Sequence, residues 1–133
     1  MKYLWIIDIN NRKEVGMINI DYQSRMPIYM QIVKEIERYT VLDVLKPNEQ
    51  IPSIRELAST LGINPNTVKK AYDILEQKGI IVTMSTKGTY IAEKKSNAIN
   101  DIIGEKIASI KNEILELEKY GLSKEEIIKK ISK

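Results

Sequence analysis

The feature that most constrains the fold is a pair of predicted helices joined by only three residues, Gly62-Ile63-Asn64. The first helix opens at Ser53-Ile54-Arg55-Glu56, where a Ser three positions before a Glu is the spacing of a capping box. Gly62 suits the positive φ that ends a helix, and Asn64 followed by Pro65 is a cap with a first-turn proline. Two helices joined this tightly form the centre of a helix-turn-helix. Apolar residues recur at helical spacing along both: Ile54, Leu57, Ala58, Leu61, Val68, Ala71, Tyr72 and Leu75.

A β-hairpin is predicted directly after this pair, where Gly79 closes the second helix. Residues 80–84 are an apolar, strand-like run, residues 85–88 (Ser-Thr-Lys-Gly) are a turn, and residues 89–91 alternate as a returning strand. A hairpin in this position is a wing, so the pattern predicts a winged helix-turn-helix.

An additional helix is predicted upstream, beginning at Pro27 in its first turn and fading by Lys46, because Pro47 disfavours helical geometry in the residue before it. Residues 1–16 fit poorly with the rest of the chain and are predicted to be an N-terminal extension, either a strand and turn or a segment upstream of the natural start. We favour Met17 as that start, since Lys13-Glu14-Val15 can be encoded by a purine-rich ribosome-binding sequence.

The C-terminal segment, 96–133, shows a different apolar pattern with steps of four and three residues, which is a heptad seam. Gly121 stops this helix, and Ser123 with Glu126 forms a second capping box before a short helix. The seam and the short helix could pack on each other or on a second chain, and we favour both together. The predicted dimerisation residues are Ile103, Ile107, Ile110, Ile114, Leu117, Ile127, Ile128 and Ile131.

The composition argues against an enzyme. The chain has no Cys and no His, so it cannot form a thiolate nucleophile, an imidazole base or a Cys/His zinc site. We expect no cofactor and no metal. No apolar run approaches the roughly 20 residues of a membrane span, so we expect no membrane association and a cytoplasmic protein. The formal charge of +3 is too small by itself to indicate a nucleic-acid partner.

The sequence from about Met17 to Glu93 resembles the DNA-binding domain of the GntR family of bacterial transcription regulators. The resemblance rests on residues that fall in family order: Pro52-Ser53, Arg55, Leu57-Ala58, Leu61-Gly62, Asn66-Thr67-Val68, Ala71-Tyr72, Leu75-Glu76, Gly79 and Lys87-Gly88. The family usually has Gly where this chain has Asp43 and Asn48, two residue types that still tolerate left-handed backbone. The short C-terminal hairpin resembles the YtrA subfamily, whose members use it to dimerise and are often linked to transporter operons.

This resemblance implies that the second helix of the pair enters the major groove of double-stranded DNA, with Arg55 contacting a phosphate or a guanine. Taken singly, Lys69-Lys70 is typical of a solvated helix face, Asn64 and Asn66 of a turn, and Lys87-Gly88 of a hairpin tip. Their joint placement on one expected surface favours DNA contact. The predicted DNA-binding residues are Ser53, Arg55, Asn64, Pro65, Asn66, Thr67, Lys69, Lys70, Lys87, Gly88 and Thr89.

The predicted fold is mostly α with a small β-hairpin: a winged helix-turn-helix at 17–95, followed by a helical dimerisation hairpin at 96–133. The predicted function is a homodimeric, sequence-specific repressor that binds an inverted-repeat operator, of a transporter operon or of its own. The competing hypothesis is a winged-helix module that assembles proteins without reading DNA. A small-molecule effector has no support in the sequence beyond the room that a dimer crevice would offer.

Overall fold

The computed structural model describes residues 2–8, 13–84, 86–93 and 95–133, with the side chains of 2–8, 13–17, 95 and 96 outside the description. The chain divides into two compact units, Met1–Ile99 and Asn100–Lys133. In chain order the elements are β1 (Lys2–Asp8), β2 (Lys13–Ile20), α1 (Ile28–Val41), β3 (Gln50–Ile51), α2 (Ile54–Leu61), α3 (Pro65–Gln77), β4 (Ile81–Met84), β5 (Gly88–Ile91), α4 (Lys95–Lys119) and α5 (Lys124–Ile131). The predicted fold class, mostly helical with a winged helix-turn-helix, is confirmed.

The caps that the sequence predicts for the helix pair are present. The Ser53 hydroxyl accepts from the Glu56 backbone N–H at 3.2 Å, and the Glu56 carboxylate accepts from the Ser53 N–H at 3.4 Å. Gly62 adopts φ 64°, and the Asn64 side chain accepts from the Asn66 N–H at 2.8 Å. These local bonds satisfy backbone donors that a helix start leaves unpaired, so they determine where α2 and α3 begin.

The buried faces of the helix pair also agree with the prediction. Leu57, Ala58 and Leu61 of α2 are buried, whereas Ile54 is only partly buried. The inward residues of α3 are all buried: Val68, Ala71, Tyr72 and Leu75. Helix α1 packs on α3 and completes a three-helix core that is almost wholly aliphatic.

Helix α1 differs from the prediction at its start and agrees with it at its end, which comes before Lys46. Pro27 is its N-cap residue, with φ −56° and ψ 148°, rather than part of the first turn. The helix ends at Val41, and the following loop turns at Asp43 and Asn48, which have φ 61° and φ 67°. The expected bent loop is therefore formed without glycine, at the two positions where the family usually has it.

The wing is one side of a three-stranded antiparallel sheet with the order β3-β5-β4. Strand β5 pairs with β4 from Ile81↔Ile91 to Met84↔Gly88, as the predicted hairpin requires. Its other edge pairs with β3, at Gln50↔Tyr90 and Ile51↔Thr89. The sequence does not predict β3, because two residues are too short for an alternating pattern.

Two partly buried polar contacts in the first unit hold distant segments together. The Lys78 ammonium lies 2.6 Å from the buried Glu37 carboxylate and joins the end of α3 to α1. The Gln31 side chain accepts from the Asp21 N–H at 2.9 Å and donates to the Asp21 and Met26 carbonyl oxygens at 3.0 and 2.9 Å. Gln31 thereby fixes the loop that leads into α1.

Tyr72 links α3 to the start of α2, since its hydroxyl donates to the Pro52 carbonyl oxygen at 2.7 Å and the side chain is buried. Burial, and to a smaller extent the Glu56 carboxylate, raises the pKa of Tyr72 above its ordinary value of 10.0. Above about pH 10 the unfolded chain therefore ionises at this residue while the folded chain does not. The free energy of unfolding should then fall by about 1.4 kcal/mol per pH unit from this group alone.

Tyr72→Phe is expected to lower the free energy of unfolding by about 1 kcal/mol at pH 8, because the Pro52 carbonyl loses its donor. The same substitution removes the alkaline loss, so the difference from wild type should shrink and then reverse between pH 10 and about pH 11.5. Urea unfolding of both proteins across this range measures the difference. A difference in unfolding free energy that stays constant with pH would contradict the conclusion that burial raises the pKa of Tyr72.

The N-terminal residues pair as a β-ribbon. Strand β1 lies antiparallel to β2, from Lys2↔Ile20 to Asp8↔Lys13, with an irregularity after Ile6. Met17 therefore lies inside β2. Ile18 and Ile20, at the end of the same strand, are buried. The hypothesis that Met17 is the natural start stays a prediction.

The second unit is a helical hairpin. Helix α4 ends at Lys119, Gly121 adopts φ 90°, and the Ser123 hydroxyl and Glu126 carboxylate form the predicted reciprocal cap at 3.2 and 2.8 Å. No helix within the described ranges is long and apolar enough to cross a bilayer.

Candidate nucleic-acid interface

The N-terminal turn of α3 presents polar groups to solvent. Asn64, Pro65 and Asn66 are exposed and Thr67 is partly buried, while Val68 turns inward. Asn64 uses its side-chain oxygen as the cap, and among the described residues its amide N–H₂ has no acceptor, so it can donate to a ligand. An amide and a hydroxyl at a helix N-terminus can bond base edges, and the terminus itself favours a phosphate.

Arg55 lies in the first turn of α2 and is exposed. Within the described chain its guanidinium makes no hydrogen bond or ion pair, so all of its donors are free for a phosphate or a guanine. Ser53, two residues earlier, has its hydroxyl engaged in the capping box. Its structural role is therefore established, and a DNA contact would have to share that oxygen.

The two lysines of α3 have different environments. The Lys69 ammonium pairs with Asp73 one turn later at 2.8 Å, and both side chains are more than half exposed. Such a surface pair contributes only about 0.3–0.5 kcal/mol and can be exchanged for a phosphate. The Lys70 ammonium lies 4.0 Å from the centroid of the Tyr29 ring, which restricts where this cation can point. Sequence reasoning misses Tyr29, because residues 41 positions apart carry no local signal.

The wing tip is held by side chains that sequence reasoning also misses. The Tyr90 hydroxyl donates to the Lys87 carbonyl oxygen at 2.8 Å, and the Gln50 amide donates to the same oxygen at 3.4 Å. Lys87 itself is exposed. Gly88 has φ 110°, which only glycine adopts readily. The tip is thus a defined turn that presents one cation.

Thr89 does not have the role that the sequence predicts, a contact between its hydroxyl and a phosphate. Thr89 pairs with Ile51 in the sheet and is only 5% exposed. A side chain buried on the inner face of the wing cannot reach a phosphate without opening the sheet. Its backbone supports the tip instead.

The wing tip lies near α2 through β3. Gln50 bonds the tip and precedes Arg55 by five residues, a span of at most about 18 Å even if fully extended. The Tyr72–Pro52 bond then joins α3 to the start of α2. The first turns of α2 and α3 and the wing tip are therefore neighbouring parts of one scaffold.

Gly88→Ala is expected to lower the free energy of unfolding by about 1–2 kcal/mol, because the left-handed backbone would be strained. A Cβ at this position would also lie 2.7 Å from the Gln50 amide nitrogen and displace it from the tip. Gly104→Ala in α4, where a Cβ meets nothing within 4 Å, is the control and should stabilise by about 0.5–1 kcal/mol. Thermal unfolding of the two variants tests this, and equal effects would contradict it.

The described residues include no group of three or more Asp or Glu side chains arranged to hold a metal ion. The polar groups of this surface are mainly cations and amides, with the Asp73 carboxylate paired to Lys69, and such a surface suits a polyanion. What the surface can do chemically is bind phosphates and read base edges.

The helical hairpin exposes a row of large apolar side chains. Ile103, Ile107 and Ile110 of α4 are 46–54% exposed, and Leu117 continues the row at 38%. Ile128 and Ile131 of α5 are also exposed, and Ile114 is partly buried. Ile127 departs from the predicted set, since it is only 2% exposed in a single chain and has no surface left for a second one.

Comparison with known proteins places these features in a family. The sequence model of the family described as bacterial regulatory proteins, gntR family, matches residues 28–91. The HTH-type transcriptional repressor YtrA of Bacillus subtilis is 43% identical over 101 residues, which cover 76% of this chain and 75% of that protein. A transcriptional regulator from Oenococcus oeni superposes with a TM-score of 0.71 at 37% identity, covering 85% of this chain and 94% of that one. The AraR DNA-binding domain in complex with operator ORX1 superposes with a TM-score of 0.51 at 25% identity, over 56% of this chain and 96% of that domain. The chain therefore belongs to the gntR family of bacterial regulatory proteins, as a transcription regulator with a winged helix-turn-helix DNA-binding domain that is similar to YtrA.

Proposed function

We propose that the protein is a homodimeric repressor that binds an inverted-repeat operator through Arg55, the N-terminal turn of α3 and the wing tip. The observation that carries the proposal is that the exposed Arg55 guanidinium makes no bond within the described chain and belongs to the helix directly before the exposed polar turn of α3, on a scaffold that superposes on an operator-bound domain. Residues of this kind at a helix N-terminus read base edges in the major groove.

The exposed row on α4 supports the homodimer. Isolated large apolar residues on a surface are ordinary, but a contiguous row along one helix face typically marks an interface. The row is spaced as a heptad seam, which packs on a second helix. A second copy of the hairpin would cover it in a two-fold arrangement, the commonest symmetry of soluble oligomers.

The symmetry of the proposed dimer predicts the arrangement of the operator's half-sites. Two identical DNA-binding domains related by a two-fold axis require two inverted half-sites. The centres of the half-sites lie about one turn of the DNA helix, or a multiple of it, apart. Bound there, the dimer would block RNA polymerase sterically. We propose the protein's own operon as the first target, a transporter operon being the other, and a cytoplasmic location follows from access to the chromosome.

A footprint on the upstream region of the protein's own operon tests this proposal. We expect protection of two inverted half-sites and no protection on a scrambled duplex. Protection of a single half-site would contradict the dimer, and no specific protection in any upstream region of the genome would contradict the repressor.

The competing function, a module that assembles proteins, is favoured by one observation, the same exposed apolar row. Arg55→Ala combined with Lys69→Ala separates the two functions, because only DNA reading depends on these side chains. Partner assembly through the hairpin should be unchanged by them.

A further inference from the structure

The contact between Tyr29 and Lys70 joins two helices that are far apart in the sequence. Tyr29 lies in the first turn of α1 and is partly buried, and Lys70 lies in the second turn of α3 and is exposed. The Lys70 ammonium lies 4.0 Å from the centroid of the Tyr29 ring, well within the distance at which an aromatic face attracts a cation. Both residues belong to the first compact unit, so α1 supports a cation of α3.

Lys70 shares a face of α3 with Asn66 and Thr67, since residues three and four positions apart are neighbours on a helix. Asn66 and Thr67 belong to the turn that we propose reads base edges. Lys70 lies one turn further along the helix, and base contacts come mainly from the N-terminal residues of the helix in the groove. An ammonium is a compact point charge, so a backbone phosphate is the ligand that suits Lys70.

The neighbouring lysine shows how an aromatic ring differs from a carboxylate as a partner. The Lys69 ammonium is paired with Asp73 at 2.8 Å, so a phosphate must displace a carboxylate in order to bind it. The Lys70 ammonium makes no hydrogen bond or ion pair within the described chain. The Tyr29 ring therefore restricts the position of the cation without neutralising its charge or occupying its N–H donors.

Restricting Lys70 before DNA arrives favours the complex. A lysine side chain is flexible and loses rotamer entropy when its ammonium is fixed on a phosphate. A cation that is already held against a ring has lost part of that entropy in the free protein, so less is lost on binding.

We propose that Tyr29 is a positioning residue for DNA binding, whose ring holds the Lys70 ammonium where it binds a phosphate of the operator. The proposal rests on the DNA-binding function proposed above. It adds a residue of α1, outside the α2–α3 pair and the wing, that acts through Lys70 and not through a DNA contact of its own.

Fluorescence anisotropy of the full chain on the operator duplex defined by footprinting tests this role. Tyr29→Leu should weaken binding by the dimer about five- to thirtyfold, because each of two sites loses a contact whose strength limits how far Lys70 is pre-positioned. The dependence of affinity on salt concentration should stay as in the wild type, because Lys70 still neutralises its phosphate. Tyr29→Phe keeps the aromatic face and should bind within about twofold of wild type.

A double-mutant cycle with Lys70→Met distinguishes positioning from a merely structural role of Tyr29. Lys70→Met alone should weaken binding and reduce the salt slope by about 1.8, which is about 0.9 for each of two phosphates. Adding Tyr29→Leu to Lys70→Met should cause no further loss beyond about twofold, because the ring then has no cation to hold.

Tyr39→Leu is the matched control. Tyr39 lies in the last turn of the same helix, about 15 Å along its axis from Tyr29. Its ring also faces a cation, the Arg38 guanidinium at 4.9 Å. This variant should keep the operator affinity within about twofold of wild type. If Tyr29→Leu does not fold, as judged by circular dichroism, Tyr29→Met replaces it with the same expected results.

The outcomes separate the role of Tyr29 from the proposed function. A wild type that binds the operator duplex and a scrambled duplex equally overturns the DNA-reading function itself. Where the wild type binds specifically, Tyr29→Leu binding as tightly as wild type, or losing as much affinity in the Lys70→Met background, overturns only the role of Tyr29. A loss in Tyr29→Phe as large as in Tyr29→Leu also overturns it, because the hydroxyl and not the ring would then be responsible.

Discussion

Arg55→Ala is expected to lower the affinity of the protein for its operator by about two to three orders of magnitude. A charge-assisted hydrogen bond from a guanidinium contributes about 1.5–2 kcal/mol, and the dimer loses it twice. The fold should be unaffected, because Arg55 is exposed and makes no bond within the described chain. The loss should therefore appear in DNA binding and not in the thermal unfolding temperature.

Arg38→Ala provides the matched control for Arg55. Arg38 is an exposed arginine whose guanidinium is already engaged by Glu35 at 2.9 Å and by the Tyr39 ring at 4.9 Å. Its removal changes the net charge equally, so it measures the non-specific electrostatic contribution. Equal losses in the two variants, measured by fluorescence anisotropy at one salt concentration, would contradict a specific role for Arg55.

Ile107→Lys combined with Ile110→Lys is expected to raise the dimer dissociation constant at least about 1,000-fold. Covering each half-exposed isoleucine contributes about 1 kcal/mol, and four of them are lost per dimer before the cost of burying lysine is added. Operator affinity should fall with the dimer, because a monomer holds only one half-site. The stability of the monomer should change little, since both side chains are exposed in the single chain.

Ser109→Lys combined with Asn112→Lys is the control for the seam. It adds the same charge at exposed positions of α4 that lie away from the seam. Sedimentation equilibrium should show a dimer for this variant and a monomer for the seam variant. A dimer in both would place the interface elsewhere.

Most of the helix-turn-helix could be predicted because its signals are local. The capping boxes at Ser53 and Ser123 and the left-handed Gly62 depend on residues within one turn of each other. The inward stripe of α3 follows directly from helical periodicity. These features do not need knowledge of the rest of the chain.

The features that the sequence does not reveal depend on long-range contacts. Gln50 and Ile51 form β3 because they pair with the edge of β5, about 40 residues later in the chain. The Lys70–Tyr29 and Lys78–Glu37 contacts join α3 to α1. The periodicity of apolar residues in the sequence does not predict either contact. Sequence reasoning places Thr89 on the surface because a hairpin tip is normally exposed, whereas its pairing with Ile51 buries it.

The central claim, sequence-specific DNA reading anchored on phosphates, is tested most directly by fluorescence anisotropy on an upstream duplex and on a scrambled duplex across a salt series. We expect tighter binding to the upstream duplex, and a logarithm of affinity that falls linearly with the logarithm of salt concentration, by about 0.9 per phosphate neutralised. Tight specific binding with that slope would establish the repressor's mode of recognition. Failure to bind either duplex at low salt would contradict it and favour a protein-assembling module.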